Sequence, residues 1–292
     1  MRIDAHQHFW WLDTPFCAWP TPEERAIYAD FGPVELEPLL EEHGIDGTIL
    51  VQAAPAVAET EMLLNLGAET PFVSGVVGWI DMEAPDSVAE LKGLAANPLL
   101  RGIRPMIQSI PDADWMLKPA LAPVYDAMVE LGLCFDALVL PVHLAPLATL
   151  ARRHPGLSII IDHGAKPEIG KSATNPGVMP QWSDGMSAFS GMPQVSCKLS
   201  GLLTEAGEGA GRLEVQPYLD HLYDVFGADR LMWGSDWPVL LMANTYSRWL
   251  SICEEWLAEK SVADADKIMG DTACRIYGVG HGHEAALQAA GR

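Results

Sequence analysis

The chain has 292 residues, 49% hydrophobic and 20% charged, and is therefore long enough to bury a large α/β core. Its net charge of −21 argues against binding to nucleic acids or to anionic membrane surfaces, and an anionic substrate would need a locally positive pocket. The first residues lack the apolar segment of a secretory signal and the five cysteines are scattered, so we expect a cytoplasmic protein with reduced thiols.

Eight short apolar segments recur along the chain, each followed by a segment compatible with a helix. Two of them, 46–53 and 157–163, are nearly continuous runs of β-branched and aliphatic residues, which is typical of parallel strands buried on both faces. The predicted strands cover residues 2–9, 46–53, 72–80, 100–106, 133–140, 157–163, 194–201 and 230–236. The predicted helices cover residues 33–43, 55–68, 85–95, 119–131, 143–153, 177–190, 212–226 and 244–258, and an extra helix follows near 262–276.

Eight strand–helix units are the number found in a (β/α)8 TIM barrel, and we predict one such domain over residues 1–292. A doubly wound open sheet is the competing architecture, but no predicted strand is followed by the glycine spacing of a dinucleotide-binding loop.

Two segments outside the repeated units are distinctive. Residues 10–32, rich in tryptophan and proline, follow the first strand and would form either an active-site lid loop or a packed surface excursion. Residues 279–292 contain a second His-x-His pair, His281 and His283, outside any apolar strand, and we expect a flexible tail there.

Polar residues recur at the predicted strand ends, and the carboxyl ends of barrel strands meet at a single mouth. These residues are His6, His8, Arg104, Asp136, His163, Lys198 and Asp236. The three histidines and Asp236 together are a suitable ligand set for Zn²⁺ or Mn²⁺, and the aspartate is alternatively a general base. Arg104 and Lys198 would supply positive charge for an oxyanion or a carboxylate.

Each of these residues also has a purely structural explanation. His163 could be a hydrogen-bonded core histidine, and Asp236 could be the N-cap of the following helix. Arg104 and Lys198 could be solvated charges at the rim. Their joint occurrence at strand ends favours a functional site.

Four segments resemble the amidohydrolase superfamily, and in particular its amidohydrolase-related group of TIM-barrel sugar lactonases. They are the His-x-His pair of the first strand, DHGAKP at 162–167, CKLSGL at 197–202 and WGSDWP at 233–238, and the resemblance extends over essentially the whole chain. It implies that His6, His8, His163 and Asp236 form the active centre. Binuclear members have a bridging lysine or carboxylate in mid-barrel, which neither Asp136 nor Lys198 clearly matches. We therefore expect at most one divalent metal, Zn²⁺ in preference to Mn²⁺, and a metal-independent reaction stays open.

The resemblance also implies hydrolysis of a small-molecule sugar lactone, with Asp236 as general base and His163 and Lys198 as further catalytic groups. The residues expected to bind substrate are Arg104, Asp136, Trp11, Trp19 and Lys166. The alternatives are a decarboxylase of an unsaturated carboxylic acid, a lactone isomerase and a non-catalytic binding protein. No nucleic-acid or membrane partner is expected, and a homo-oligomer stays open.

Overall fold

The computed structural model describes residues 1–172 and 174–280 and contains an eight-stranded parallel barrel surrounded by helices. The strands are β1 (Ile3–Gln7), β2 (Gly47–Val51), β3 (Val73–Gly78), β4 (Leu100–Ile103), β5 (Cys134–Ala137), β6 (Ile159–Ile161), β7 (Val195–Leu199) and β8 (Leu231–Trp233). They pair in sequence order from β1 to β8, so the predicted (β/α)8 TIM barrel is confirmed. The residues from 281 onward, including His281 and His283, lie outside the described part of the chain.

The helices fall close to their predicted positions, with two differences. They are α1 (Pro33–His43), α2 (Val57–Glu69), α3 (Ser87–Leu94), α4 (Ala122–Leu131), α5 (Leu144–Arg153), α6 (Val178–Ser187), α7 (Leu202–Ala206), α8 (Arg212–Phe226), α9 (Tyr246–Leu257), α10 (Val262–Asp266) and α11 (Thr272–Tyr277). The sequence did not predict α7, because five residues are too few to establish a helical period.

The predicted extra helix at 262–276 is interrupted by a π-helical turn at Lys267–Asp271, between α10 and α11. There Gly270 packs against the start of the chain, where a Cβ would lie 1.9 Å from the carbonyl oxygen of Met1. The widened turn and the glycine together allow this close approach.

The barrel is closed by the segment that follows β8. The amide of Asp236 donates to the carbonyl of His6 at 2.8 Å, and the amide of His8 donates to the carbonyl of Trp237 at 2.8 Å. These hydrogen bonds join the segment of His6 and His8 directly to the segment of Asp236. The two segments therefore lie at the same end of the barrel, as we predicted from the sequence.

The interior of the barrel is apolar at its base. The strands contribute small and β-branched side chains there, among them Ile3, Ile49, Val77 and Ile160, and α11 adds Ala273 and Tyr277 from below. A larger apolar cluster lies between the sheet and the helices. No helix in the described ranges is long and apolar enough to cross a membrane.

Candidate active site

Three histidine rings surround the carboxylate of Asp236 at the carboxyl ends of β1, β6 and β8. The Oδ1 atom of Asp236 lies 3.4 Å from Nε2 of His8, 3.7 Å from Nε2 of His6 and 3.9 Å from Nε2 of His163. Nε2 of His6 and Nε2 of His8 are 3.1 Å apart. The four side chains are almost completely buried. The structure thus brings together all four predicted members of the active centre.

The Nδ1 atom of each histidine is engaged away from this meeting point. Nδ1 of His8 donates to the carbonyl of Val51 at 2.8 Å, and Nδ1 of His163 lies 2.9 Å from the hydroxyl of Ser200. Nδ1 of His6 lies 3.4 Å from Asp162 Oδ1. Partners of this kind fix the orientation of an imidazole and leave its Nε2 directed at the site.

This donor set fits a divalent metal ion. Ligand atoms of His6, His163 and Asp236 all lie within 4.8 Å of one another, and His8 adjoins them through His6 and Asp236. Imidazole nitrogens with one carboxylate are ligands typical of Zn²⁺ and of Mn²⁺.

The backbone at the site adopts left-handed conformations that direct these side chains. His163 has φ 53° and Asp236 has φ 58°, in a region where non-glycine residues are uncommon and cost energy. Two glycines leave room for the rings. A Cβ on Gly201 would lie 2.7 Å from Nδ1 of His163, and one on Gly234 would lie 2.9 Å from Cβ of His6.

A layer of buried charges lies directly beneath the histidines. Lys198 is fully buried, and its Nζ lies 2.6 Å from Asp136 Oδ2 and 3.0 Å from Asp162 Oδ1. Arg104 completes the layer, with Nη1 3.5 Å from Asp162 Oδ2 and 3.4 Å from Nε2 of His6. Gln52 holds this arginine, because its backbone carbonyl accepts from Nη2 and its side-chain amide donates to the carbonyl of Arg104 at 2.8 Å.

Burial and neighbouring charges set the protonation of these groups. Burial lowers the pKa of His163 to about 4, and it also lowers the pKa values of His8 and His6. Burial opposes the ionisation of Asp236, but the imidazoles of His163, His8 and His6 outweigh it and hold the pKa of this carboxyl below its ordinary value. The rings are therefore neutral and Asp236 is an anion at neutral pH, which are the forms that bind a metal or accept a proton.

Lys198 and Asp162 in this layer keep their ionised forms for a similar reason, whereas burial raises the pKa of Asp136. Burial opposes the charge on Lys198, but Asp136 and Asp162 outweigh it and raise the pKa of the ammonium. The pKa of Asp162 lies well below its ordinary value because Lys198 and His6 outweigh the effect of burial. The positive charges of Arg104 and Lys198 are thus paired with the negative charges of buried carboxylates.

A cavity of about 320 Å³ opens above the histidines. Its polar lining includes Arg104, Gln108, Lys166, Thr204, Glu205 and Asp236, and its apolar lining includes Trp19, Met106, Leu138, Val239 and Met242. This volume is near the lower end of the range for ligand pockets, roughly 300–1,000 Å³, and suits a single sugar ring.

The structure distributes the predicted substrate-binding residues between the cavity and its surroundings. Arg104, Lys166 and Trp19 line the cavity. Trp11 packs instead against Gly32 at the start of α1, where a Cβ would lie 3.1 Å from its ring. Asp136 is fully buried and pairs with Lys198, which is buried as well. It therefore lies in the layer beneath the cavity and below the residues that line the cavity.

Several residues of the site were not predicted from the sequence. Asp162 and Gln52 directly follow β6 and β2, so the rule that polar strand ends converge would have identified both. Glu205 lies on the short helix α7, which has no periodic signal. Tyr277 comes from a helix at the opposite end of the barrel, and no local pattern indicated its role.

Comparison with known proteins adds to this geometry. A family model described as amidohydrolase matches residues 3–279. An L-fucono-1,5-lactonase of Burkholderia ambifaria is 45% identical over 280 residues, which cover 94% of this chain and 95% of the relative. An L-fucono-1,5-lactonase of Burkholderia multivorans is 32% identical, over 98% of this chain and 99% of the relative. A crystal structure of an amidohydrolase from Burkholderia multivorans with bound zinc is 31% identical, with a TM-score of 0.90 over 96% of this chain and 100% of that chain.

Proposed function

The chain belongs to the amidohydrolase family, and on that premise we propose that it hydrolyses a sugar lactone of the L-fucono-1,5-lactone type to the sugar acid. The observation that carries this proposal is the cluster of neutral imidazoles around an ionised aspartate, opening onto a small cavity with one arginine at its floor. The named activity of two relatives, aligned over nearly the whole chain, supports the same reaction.

Lactone hydrolysis requires a nucleophilic oxygen at neutral pH and a stabilised oxyanion. Asp236 is placed to remove a proton from the attacking water, since it is ionised and lines the cavity. A bond forms between the water oxygen and the carbonyl carbon, and the bond from that carbon to the ring oxygen then breaks. Asp236 returns its proton to the departing alkoxide. Arg104 at the cavity floor stabilises the negative charge on the carbonyl oxygen.

We infer that the site takes one divalent metal, with Zn²⁺ preferred and Mn²⁺ as the alternative. His6, His163 and Asp236 would hold it, with His8 beside them. When bound, such an ion lowers the pKa of a water molecule or polarises the carbonyl. The zinc in a 31% identical relative supports this choice, and a metal-independent reaction is tested below.

The charges of the cavity favour a neutral lactone over a pyrone dicarboxylate. A diacid would need a cation for each carboxylate. The cavity lining offers Arg104 and Lys166, but Lys166 lies 3.8 Å from Glu205, a second carboxylate in the same wall. Lys198 is already paired with two buried aspartates. This distribution suits one carbonyl oxygen surrounded by hydroxyl groups, with Trp19 as an apolar face for the sugar ring.

A pH-indicator assay on a panel of aldonolactones, with L-fucono-1,5-lactone first, tests the proposal. Hydrolysis releases acid, whereas a lactone isomerase releases none and a decarboxylase releases CO₂. The same reaction without enzyme is the control for spontaneous hydrolysis. No acid release above that control, or higher kcat/KM on a pyrone dicarboxylate, would contradict it. Repeating the assay after exhaustive chelation and after zinc is restored decides whether the metal is required.

A further inference from the structure

A continuous series of contacts runs from the last helix, through the base of the barrel, to His6. Tyr277 ends α11 and is almost completely buried. Its hydroxyl donates to Oδ2 of Asp136 at 2.6 Å, and the same oxygen accepts from Nζ of Lys198 at 2.6 Å. Asp136 and Lys198 are fully buried, so bulk solvent does not reach these bonds.

Lys198 in turn reaches the active centre. Its Nζ lies 3.2 Å from Nδ1 of His6 and 3.0 Å from Oδ1 of Asp162, and the centroid of the Tyr277 ring lies 5.5 Å from the same Nζ. The ammonium bonds Asp136 and forms an ion pair with Asp162, and Asp162 in turn lies beside Nδ1 of His6, where it can accept the ring proton that leaves Nε2 free for a metal. The position of Lys198 therefore depends on the carboxylate that Tyr277 holds.

The nitrogen of His6 that this lysine meets is not the one that faces Asp236. Lys198 and Asp162 flank Nδ1, whereas Nε2 lies toward His8 and Asp236. Groups behind a metal-facing imidazole fix its orientation, and their loss typically costs about 10–100-fold in metal affinity or activity.

We propose that Tyr277 is a positioning residue, which acts through Asp136 and Lys198 to hold the ring of His6. The Oδ1 atom of Asp136 has no hydrogen-bond partner among the described residues, so the donors to this carboxylate are Tyr277 and Lys198, both at Oδ2. Without the tyrosine hydroxyl, the carboxylate draws the ammonium toward itself and away from Asp162 and His6. The inference rests on the proposed function, because it assigns His6 to the metal-binding set.

The test compares Tyr277→Phe with a matched control, Tyr125→Phe. Tyr125 is equally buried, but it lies on α4 outside the barrel, and its hydroxyl donates to the carbonyl of Met116 at 2.9 Å. For each variant, zinc affinity is measured by competition with a chromophoric chelator, and kcat and KM are measured on the lactone. We expect Tyr277→Phe to weaken zinc binding on the order of tenfold and to lower kcat by a similar factor with little change in KM. Tyr125→Phe should change neither quantity.

Wild-type zinc affinity and kcat in Tyr277→Phe would overturn the proposal. Equal losses in Tyr125→Phe would overturn it as well, because the effect would then be one of general stability. If the proposed lactonase function is wrong, the wild-type protein will lack turnover, but the zinc affinities of the two variants still decide the role of Tyr277. If the wild-type protein binds no zinc, kcat decides.

Discussion

The layer beneath the cavity and the wall of the cavity are both built from charged side chains, but the protein holds them in different ways. In the layer, Lys198, Asp136 and Asp162 extend from strands or their ends and are fully buried. In the wall, Lys166 and Glu205 lie outside the strands, about a quarter exposed, with 3.8 Å between Nζ and Oε1. The strands thus fix the groups to which we assign support of the chemistry, and the loops and α7 supply the groups that we propose adapt to a substrate.

The largest effect is expected at the boundary between these two regions, where Asp236 meets both the histidines and the cavity. Asp236→Asn should lower kcat by about 10²–10⁴-fold, since the amide cannot accept a proton. Asparagine tolerates the left-handed backbone of this position, φ 58°, so the fold should persist. The rate is measured by acid release, and the fold by circular dichroism. Wild-type turnover in this variant would mean that another residue is the base.

Lys198→Met tests the buried layer directly. Removing the ammonium leaves Asp136 and Asp162 buried without their common partner, and loss of one member of a buried pair costs about 3–5 kcal/mol. The matched change in the wall, Lys166→Met, removes a partly exposed charge. Its ion pair with Glu205 contributes about 0–1 kcal/mol to the free energy of unfolding. Urea unfolding of both variants measures the difference. Equal losses of stability would contradict the distinction between the two regions.

A pH-dependent effect is expected at Glu59, which supports the wall from behind. Its carboxylate accepts the backbone amides of Ala53 and Ala54, and Ala53 lines the cavity. Burial raises the pKa of Glu59 from 4.5 to about 7. A carboxyl with a raised pKa in the folded state contributes stability below its unfolded pKa and loses it as pH rises through the folded one.

Glu59→Gln should remove this dependence on pH. At about 1.4 kcal/mol per pKa unit, the free energy of unfolding of the wild-type protein relative to the variant should fall by roughly 2–3 kcal/mol between pH 5 and pH 8. Glu61→Gln is the control, an exposed glutamate on the same helix. If the free energy of unfolding of the wild-type protein relative to Glu61→Gln falls by the same amount, Glu59 is not the source of the pH dependence.

The fold and the convergence of the four candidate site residues were predictable because both depend on local patterns. Buried parallel strands appear as short apolar runs, and a polar residue at the end of such a run belongs to the mouth of the barrel. This reasoning located His6, His8, His163 and Asp236 together. Details that depend on backbone geometry were less accessible. Strand alternation would direct Asp162 and His163 to opposite faces, but His163 has φ 53° and both reach the same cluster.

The rest of the site depends on contacts between distant parts of the chain. Asp136 was predicted as a substrate-binding residue, since its position at a strand end is the same as that of Arg104. Its carboxylate is bonded instead by Tyr277, which comes from the far side of the barrel and is 141 residues away in sequence. Periodicity carries no information about such a pairing.

The smallest effect is expected in the wall. Glu205 lines the cavity beside Thr204, and burial raises the pKa of its carboxyl in spite of Lys166. As a carboxylate, it offers a sugar hydroxyl two charged acceptor oxygens, whereas a glutamine amide offers one neutral oxygen, and this bond can form in the ground state and in the transition state alike. A bond of that kind contributes about 0.5–1.5 kcal/mol. Glu205→Gln should therefore raise KM for the lactone roughly two- to tenfold with kcat almost unchanged, the signature of uniform binding.

The matched control for this prediction is Glu208→Gln, which removes the same charge from an exposed position three residues further along the chain. Both variants change the net charge equally, so a rise in KM confined to Glu205→Gln assigns the effect to direct contact with the substrate. A fall in kcat as large as the rise in KM would instead place Glu205 among the groups that act in the transition state. The wall would then share in the chemistry that we assign to the strand ends and to the layer beneath them.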